Sequence, residues 1–285
     1  MHRGRQSFTG NERKARAMEL LRPSAPFGRL RHALFDFDGT ISVVREGWER
    51  VMVPLMVEIL AGDEGDPDGA IRREVEHYVD ASTGIQTIVQ MQWLAEAVAR
   101  RGGQPRAPED YKAIYARRLH EPVYERLARL AGGECSRDDL MLEGAEDFVQ
   151  ALAARGLTLY LASGTDAEDV RHEAAALGVA KHFQGGIFGA IGSIADYSKA
   201  QVIGDILETN GLHGPELVVL GDGPVEIREG KARGAITVGV ASDEVRRHGL
   251  NPRKRQRLVD AGADTLVPDF TAADELLSLL FPAPR

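Results

Sequence analysis

The sequence contains a single cysteine, Cys135, among its 285 residues, so no disulfide can form within the chain. Such cysteine usage fits a reducing compartment. The N-terminus lacks the apolar stretch that a secretory signal needs. The longest near-apolar run, Val51 to Val57, is interrupted by Pro54 and is too short to span a bilayer. We therefore expect a soluble, cytoplasmic protein with no membrane partner.

Two common kinds of functional motif are also missing. The eight histidines form neither an HxH nor an HExxH pattern, which argues against a zinc site. Gly230-Lys231 is followed by Ala232 instead of Ser or Thr, and it lacks the upstream glycine of a P-loop. The formal net charge of −8 argues against broad affinity for nucleic acid.

Positive charge is concentrated at the N-terminus, where residues 1–32 carry a net charge of +6. We predict that residues 1–29 form a basic leader that is partly disordered and solvated, and that does not bind nucleic acid. The basic residues of positions 1–32 are Arg3, Arg5, Arg13, Lys14, Arg16, Arg22, Arg29 and Arg31.

The rest of the chain alternates short apolar runs with helical patterns. Hydrophobic residues make up 43% of the sequence and charged residues 27%, which is enough to bury a core. Strands that alternate with helices predict right-handed crossovers and a doubly wound, mostly parallel sheet in an α/β fold. The predicted strands are 33–35, 157–162, 217–220, 235–240 and 265–267, and the helices between and after them are 143–155, 167–177, 198–208, 225–233 and 272–280.

A long helical stretch interrupts this alternation after the first strand. Helical patterns cover 45–61, 70–81, 85–101 and 108–130, with a break or kink expected at Pro122. The sequence therefore predicts an α/β core formed by residues 30–44 and 143–285, and an inserted all-helical cap formed by residues 45–142.

Polar residues stand where the predicted strands end. In open α/β sheets, ligands bind beyond the carboxyl ends of the strands, near the point where the strand order reverses. Carboxylates gathered there suit Mg²⁺, which prefers carboxylate oxygens together with substrate phosphate. The candidates are Asp36, Asp38, Ser163, Gly164, Lys199, Asp222 and Glu226.

Each of these residues alone has an ordinary structural explanation. Asp-x-Asp-Gly can be a solvated turn, Ser163 can cap a helix, and Lys199 can be a surface cation. Their order along the chain, each at the end of an apolar run or the start of a helix, favours a functional site.

With these motifs, the sequence resembles the haloacid dehalogenase (HAD) superfamily of phosphohydrolases over roughly residues 30–280. Asp36-Phe37-Asp38-Gly39-Thr40 is the most specific element. The insert matches in position the helical C1-type cap of phosphoglycolate-phosphatase-like members. The resemblance implies a HAD-like Rossmannoid core, a phosphatase activity, a Mg²⁺ cofactor and a small phosphorylated metabolite as substrate.

The resemblance also implies roles for individual residues. Asp36 would be the nucleophile and Asp38 the general acid and base. Asp36, the backbone carbonyl of Asp38, and Asp222 would bind Mg²⁺, with Glu226 reaching the ion through water or orienting Lys199. The phosphoryl group would be held by Thr40, Ser163, Gly164 and Lys199. On the cap, Arg45 is a candidate for an anionic substrate group and Gln86 for substrate hydroxyls, although each can equally be structural.

The chemistry favours a phosphatase over a dehalogenase. An alkoxide leaving group needs a proton, which a second aspartate can supply, whereas a halide does not. Two alternatives stay open: a phosphomutase on the same fold, and a non-catalytic regulatory module. The segment Asp243–Asn251 looks like a subgroup signature or a surface loop before a helix, with no role that the sequence explains.

Overall fold

The computed structural model describes residues 18–191 and 197–283. Its strands are β1 (Glu19–Leu20), β2 (His32–Phe35), β3 (Thr158–Asp166), β4 (Gly186–Ala190), β5 (Leu217–Gly221), β6 (Ile236–Val240) and β7 (Thr265–Val267). Its helices are α1 (Glu49–Ala61), α2 (Ala70–Ala81), α3 (Thr87–Arg100), α4 (Pro108–Ala131), α5 (Ala145–Ala154), α6 (Ala167–Ala176), α7 (Lys199–Thr209), α8 (Pro224–Ala232), α9 (Pro252–Asp260) and α10 (Ala273–Leu280).

The strands form one mixed sheet in the order β1-β7-β6-β5-β2-β3-β4. The pairings are parallel except that of β1 with β7. Strand β2 lies between β3 and β5, and its Phe35 is in register with Leu161 on one side and Leu220 on the other. The predicted α/β class with a doubly wound, mostly parallel sheet is therefore confirmed.

Strand β2 is central because its side chains are buried on both faces. Phe35 makes edge-on contacts with Phe148 of α5 and with Phe183, with ring centroids 6.2 and 6.0 Å apart. Such aromatic pairs add roughly 0.5–1.5 kcal/mol each beyond the burial of their area. This packing fixes the end of β2, from which the chain continues directly into Asp36.

Helices α1 to α4 lie between β2 and β3 in the chain and pack on one another. Their shared core contains Met52 and Met56 of α1 and Met91 of α3, all fully buried. The expected break at Pro122 is wrong, since α4 continues from Pro108 to Ala131. Buried Leu119 and Val123 flank the proline, and their packing offsets the hydrogen bond that proline cannot make. The bounds of a separate cap at residues 45 and 142 stay a prediction.

The expected leader needs a correction for residues 18–29. Strand β1 pairs with β7, and the Glu19 carboxylate lies 2.7 Å from Nη2 of Arg255. Nε of Arg22 lies 2.6 Å from the buried carboxylate of Asp264. These contacts attach residues 18–29 to the sheet edge. The basic residues Arg3, Arg5, Arg13, Lys14 and Arg16 lie outside the described residues.

Across the two described ranges, no helix is both long enough and apolar enough to cross a membrane.

Candidate active site

Three neighbouring strands deliver the candidate residues to one edge of the sheet. Asp36 follows β2, Asp222 follows β5, and Ser163 lies in β3 just beyond Ala162, where the register with β4 shifts. The backbone N–H of Asp36 also donates to the Leu220 carbonyl at 2.8 Å, which extends the pairing by one residue. Carboxylates that are far apart in the sequence therefore meet at the position where the strand order reverses.

Lys199 connects two of these carboxylates. Its Nζ lies 2.6 Å from Oδ1 of Asp36 and 3.0 Å from Oε2 of Glu226. Lys199 is the first residue of α7, and the hydroxyl of the preceding Ser198 caps that helix by accepting from the Gln201 N–H at 3.1 Å. Glu226 is itself fixed, because its Oε1 accepts the Gly223 N–H at 2.6 Å. Glu226 thus contacts Lys199, and its role in the site stays a prediction.

Burial sets the protonation behaviour of this pair. Desolvation raises the pKa of Asp36 well above its usual range, and the nearby Lys199 charge only partly offsets that effect. For Lys199, burial by itself would lower the pKa, but the charges of Asp36 and Glu226 outweigh burial and raise it. The lysine is therefore a permanent cation at neutral pH.

Asp36, Asp222 and Glu226 form a buried acidic cluster. One carboxylate oxygen from each lies within 4.8 Å of the others. Three buried carboxylates in so small a space repel one another, and cations contact them from two sides: Lys199 contacts Asp36 and Glu226, and Lys254 contacts Asp222. Carboxylate oxygens gathered in this way are the donors that Mg²⁺ prefers, so these residues fit the cation that the sequence implied.

The side chain of Asp38 points to different partners. Its Oδ2 accepts hydrogen bonds from the hydroxyls of Ser163 at 3.0 Å and Thr165 at 3.1 Å. Ser163 is held in turn by the Tyr197 hydroxyl, which donates to its backbone carbonyl at 2.7 Å. Oδ1 of Asp38 is buried without a hydrogen-bond partner in the described part of the chain. The Asp38 carboxyl is thus oriented by hydrogen bonds at Oδ2, while Oδ1 has a longer ion-pair contact, with Nε of Arg45 at 4.0 Å.

Asp222 has partners that sequence reasoning missed. Nζ of Lys254 lies 2.6 Å from Oδ2 of Asp222 and 2.6 Å from Oε1 of Glu244. Burial would raise the pKa of Asp222, but the charges of Lys254 and Arg257 outweigh it and lower the pKa. Segment 243–251 and the start of α9 therefore keep Asp222 ionised and in place. No spacing in the sequence signals this, because Lys254 lies on a separate helix.

Arg257 joins the same loop to the helical region. Its guanidinium donates to the backbone carbonyl of Asp222 at 3.1 Å from Nη2, and to Asp80 and Thr83 at 3.1 and 3.3 Å from Nη1. Asp80 belongs to α2 and Thr83 to the turn after it. One arginine thus connects the Asp222 loop to helices α1–α4.

A cavity of about 80 Å³ lies between the sheet edge and these helices. A buried water needs only about 10–15 Å³ by a comparable measure, so the space admits a phosphate-sized group. Asp36, Asp38 and Asp222 line the cavity from the sheet, and Trp48 and Tyr115 line it from the helices.

The remaining candidates fall into two groups. Thr40, Ser163 and Gly164 lie at the sheet edge; Oγ1 of Thr40 is buried with no hydrogen-bond partner among the described residues, and Ser163 and Gly164 line the cavity. Gly164 touches the turn before α3, since a Cβ there would lie 2.3 Å from the Ile85 carbonyl.

On the helical side, Arg45 lines the cavity but is paired with carboxylates. Gln86 is buried and donates its side-chain amide to the Tyr197 carbonyl, a structural contact.

Gly39 is the position where a small residue is required. Its φ of 72° favours glycine, and a Cβ would lie 2.4 Å from Oδ2 of Asp222. We expect Gly39→Ala to reduce kcat/KM by at least about tenfold, because Asp222 must move. Strain in the left-handed region should cost about 1–2 kcal/mol of stability.

Gly156→Ala is the matched control for that change. Gly156 has φ 82°, and nothing lies within 4 Å of the position that an alanine methyl would take. This variant therefore has the same backbone strain as Gly39→Ala but no steric clash with a neighbouring side chain. Urea unfolding should show similar losses of stability for both variants, while activity falls only in Gly39→Ala. Equal activity in the two variants would contradict the role given to the Gly39–Asp222 contact.

The fold and the site together define a doubly wound α/β protein in which Asp36, Asp38 and Asp222 line one cavity and a buried lysine contacts Asp36. A sequence profile of the haloacid dehalogenase-like hydrolases matches residues 30–234. The chain belongs to this family of hydrolases. The predicted HAD resemblance is confirmed.

Individual relatives agree with this assignment. A 5'-nucleotidase from Pseudomonas aeruginosa is 26% identical over 225 residues, which cover 77% of this chain and 89% of that protein. A structure from Haemophilus somnus, described as a "predicted phosphoglycolate phosphatase", is 17% identical with a TM-score of 0.57 and covers 87% of this chain and 97% of its own. A β-phosphoglucomutase from Clostridium difficile is 15% identical with a TM-score of 0.53 and covers 87% and 99%. At such identities the two structures show the fold alone.

Proposed function

We propose that this enzyme is a magnesium-dependent phosphatase that hydrolyses a small phosphate monoester through an aspartyl-phosphate on Asp36. The observation that carries the proposal is the position of Asp36. It is buried, 2.6 Å from the Lys199 ammonium, and grouped with Asp222 and Glu226 within 4.8 Å. An anionic nucleophile can attack an anionic phosphate only where cations neutralise both.

Asp36, Asp222 and the backbone carbonyl of Asp38 would hold Mg²⁺, and Glu226 would act through water or through Lys199. When bound, the ion supplies positive charge that neutralises the phosphate oxygens and orients them. Thr40, Ser163, Gly164 and Lys199 would hold the phosphoryl oxygens. The unpartnered hydroxyl of Thr40 supports this assignment, because a buried polar atom without a partner is costly unless a ligand satisfies it.

Two proton transfers by Asp38 complete the reaction. In the first step an oxygen of Asp36 bonds to phosphorus, the bond from phosphorus to the leaving oxygen breaks, and Asp38 gives that oxygen its proton. In the second step a water attacks the phosphorus of the aspartyl-phosphate, Asp38 takes the water's proton, and the Asp36 carboxylate is released with inorganic phosphate. The Oδ1 atom of Asp38 supports this role, since it has no hydrogen-bond partner among the described residues and Asp38 lines the cavity.

Removing divalent cations tests the metal dependence. We expect EDTA to lower phosphate release by at least about 10²-fold, and added Mg²⁺ to restore it, because the phosphate oxygens then lack the divalent charge that the ion would supply. Asp222→Asn should require more Mg²⁺ for half-maximal activity. Full activity in excess chelator would contradict the proposal.

A phosphate-release screen over metabolite monoesters tests the reaction class. The panel should contain sugar phosphates and 5'-mononucleotides, since the Pseudomonas relative is named a 5'-nucleotidase. Sugar phosphates should also be assayed for isomers. Free phosphate supports a phosphatase, whereas isomer formation without phosphate release would support the phosphomutase alternative. A non-catalytic module is excluded by any substrate that is turned over.

A further inference from the structure

The side of the cavity that faces the helices carries almost no charge. Trp48, Ile85, Tyr115 and Leu119 are its apolar lining, and Thr87 and Gln90 add uncharged polar groups. An apolar wall with a few polar groups is typical of a pocket that binds an uncharged organic group. In the proposed reaction, this is the wall that the leaving group faces.

Arg45 is the one cation among the described residues that line the cavity, and carboxylates surround it. Its Nη2 lies 2.6 Å from Oε1 of Glu173 and 2.9 Å from Oδ2 of Asp169. Its Nε lies 4.0 Å from Oδ1 of Asp38. The guanidinium is thus already paired within the protein, and it offers less attraction to a further anion than an unpaired cation would.

The other cations near the site are engaged in the same way. Lys199 contacts Asp36 and Glu226. Lys254 contacts Asp222 and Glu244. In the described part of the chain, each of these positive charges is paired with carboxylates. A bound Mg²⁺ would serve the transferred phosphoryl group.

We infer that the enzyme selects monoesters whose leaving group is uncharged, and discriminates against leaving groups that carry a carboxylate or a second phosphate. This inference rests on the proposed phosphatase function. An anion transferred into the cavity would lose its hydration, and the cation that it met there, Arg45, already pairs with Glu173 and Asp169. It would also approach Asp38, which lines the same cavity. Phosphoglycolate-like acids are therefore poor substrates of this chain, even though its helical insert resembles in position the cap of phosphoglycolate-phosphatase-like members.

A matched pair of esters measures the selection directly. Phosphoglycolate and its primary amide have nearly the same size and differ by one negative charge. With p-nitrophenyl phosphate as a positive control, we expect kcat/KM for the amide to exceed that for the acid by at least about tenfold. An acid that is cleaved as well as the amide, or better, would overturn the inference.

The variant Glu173→Gln tests the cause of the selection. It removes the carboxylate nearest to Arg45 and keeps the shape of the side chain. Because burial raises the pKa of Glu173 to about 7, the comparison is made at pH 8, where that carboxylate is ionised. The amide-to-acid ratio should fall about tenfold, because Arg45 can then attract a substrate carboxylate. Glu216→Gln is the control. Glu216 precedes β5, so it lies at the amino end of that strand, away from the site, and it pairs with Arg31. The amide-to-acid ratio should not change in this variant. An unchanged ratio in a folded Glu173→Gln protein would reject the assigned cause.

Failure of the proposed function has a different signature. In that case, neither ester nor p-nitrophenyl phosphate releases phosphate with Mg²⁺ present. Calorimetric binding of the two esters to the Asp36→Asn variant then still measures charge selection. Preference for the amide supports the inference, and preference for the acid overturns it.

Discussion

Asp36→Asn is expected to lower kcat by at least about 10⁴-fold while the protein remains folded. An amide oxygen is a poor nucleophile and cannot form the aspartyl-phosphate, so the two-step route is lost. Residual turnover should not exceed that of direct attack by water in the same electrostatic site. Phosphate release with the best substrate of the screen, under single-turnover conditions, measures the loss.

The fold of this variant should survive because its neighbours stay paired. Lys199 keeps Glu226 at 3.0 Å, and the variant removes one of three buried, mutually repelling carboxylates. We expect the free energy of unfolding to change by less than about 2 kcal/mol. Asp147→Asn, an exposed change on α5, serves as the control with full activity. Normal turnover by Asp36→Asn would show that another residue is the nucleophile.

Lys199→Met is the second change with a large expected effect, and it acts on both stability and activity. Removing one partner of a buried ion pair leaves uncompensated charge, which costs about 3–5 kcal/mol. Here Asp36 and Glu226 would both lose their cation. Activity should fall by about 10²–10³-fold, because the positive charge next to the nucleophile is lost.

Added Mg²⁺ should recover part of the stability of this variant, since a divalent cation neutralises the same carboxylates. The pKa of Lys199 is raised, so its stabilising charge is present below the ordinary lysine pKa and is lost only as the pH rises through the raised value. Without that cation, the pKa of the buried Asp36 carboxyl rises further, so the variant takes up a proton at the lower pH. The stability difference should therefore be larger at pH 8 than at pH 6.

Lys231→Met is the matched control for the lysine change. Lys231 also contacts a buried carboxylate, Asp264, but Asp264 keeps Arg22 at 2.6 Å. This control should lose less stability and keep full activity. If Lys199→Met unfolded at the same urea concentration as the wild type, in the absence of Mg²⁺, the account of the buried ion pair would be wrong.

Those strands that are marked by a local run of apolar residues could be predicted from the sequence. Strand β7 begins and ends where the run Thr265–Val267 predicts. Strand β2 begins one residue before the predicted run 33–35 and ends at the same residue. Continuous apolar runs are a strong signal when both faces of a strand are buried, as in the middle of this sheet.

The two outermost strands of the sheet, β1 and β4, could not be predicted from apolar runs. Strand β1 consists of two residues, and its place follows from pairing with β7 at the other end of the chain. Strand β4, Gly186–Ala190, contains two glycines and is only partly buried, so it lacks the composition of a strand. Helix α9 gives no clear apolar pattern, because its residues are mostly charged and few are buried.

The site was predictable where residues follow the predicted strands. Asp36, Ser163 and Asp222 could be placed together because the carboxyl ends of adjacent parallel strands share one edge. The Lys254–Glu244 pair behind Asp222 could not be found, since it depends on how a loop and α9 fold over that edge. The neutralisation of Arg45 by Glu173 was equally hidden, because the two residues are 128 positions apart.

The most direct test of the central claim is to trap the phosphorylated enzyme. The reaction with a hydrolysed monoester is quenched within one turnover and reduced with borohydride, which converts an aspartyl-phosphate to homoserine. Mass spectrometry of the digested protein should then show the loss of mass that this conversion causes at position 36. Conversion at position 38 or 222, or at no aspartate while phosphate is being released, would contradict the assignment of Asp36 as the nucleophile.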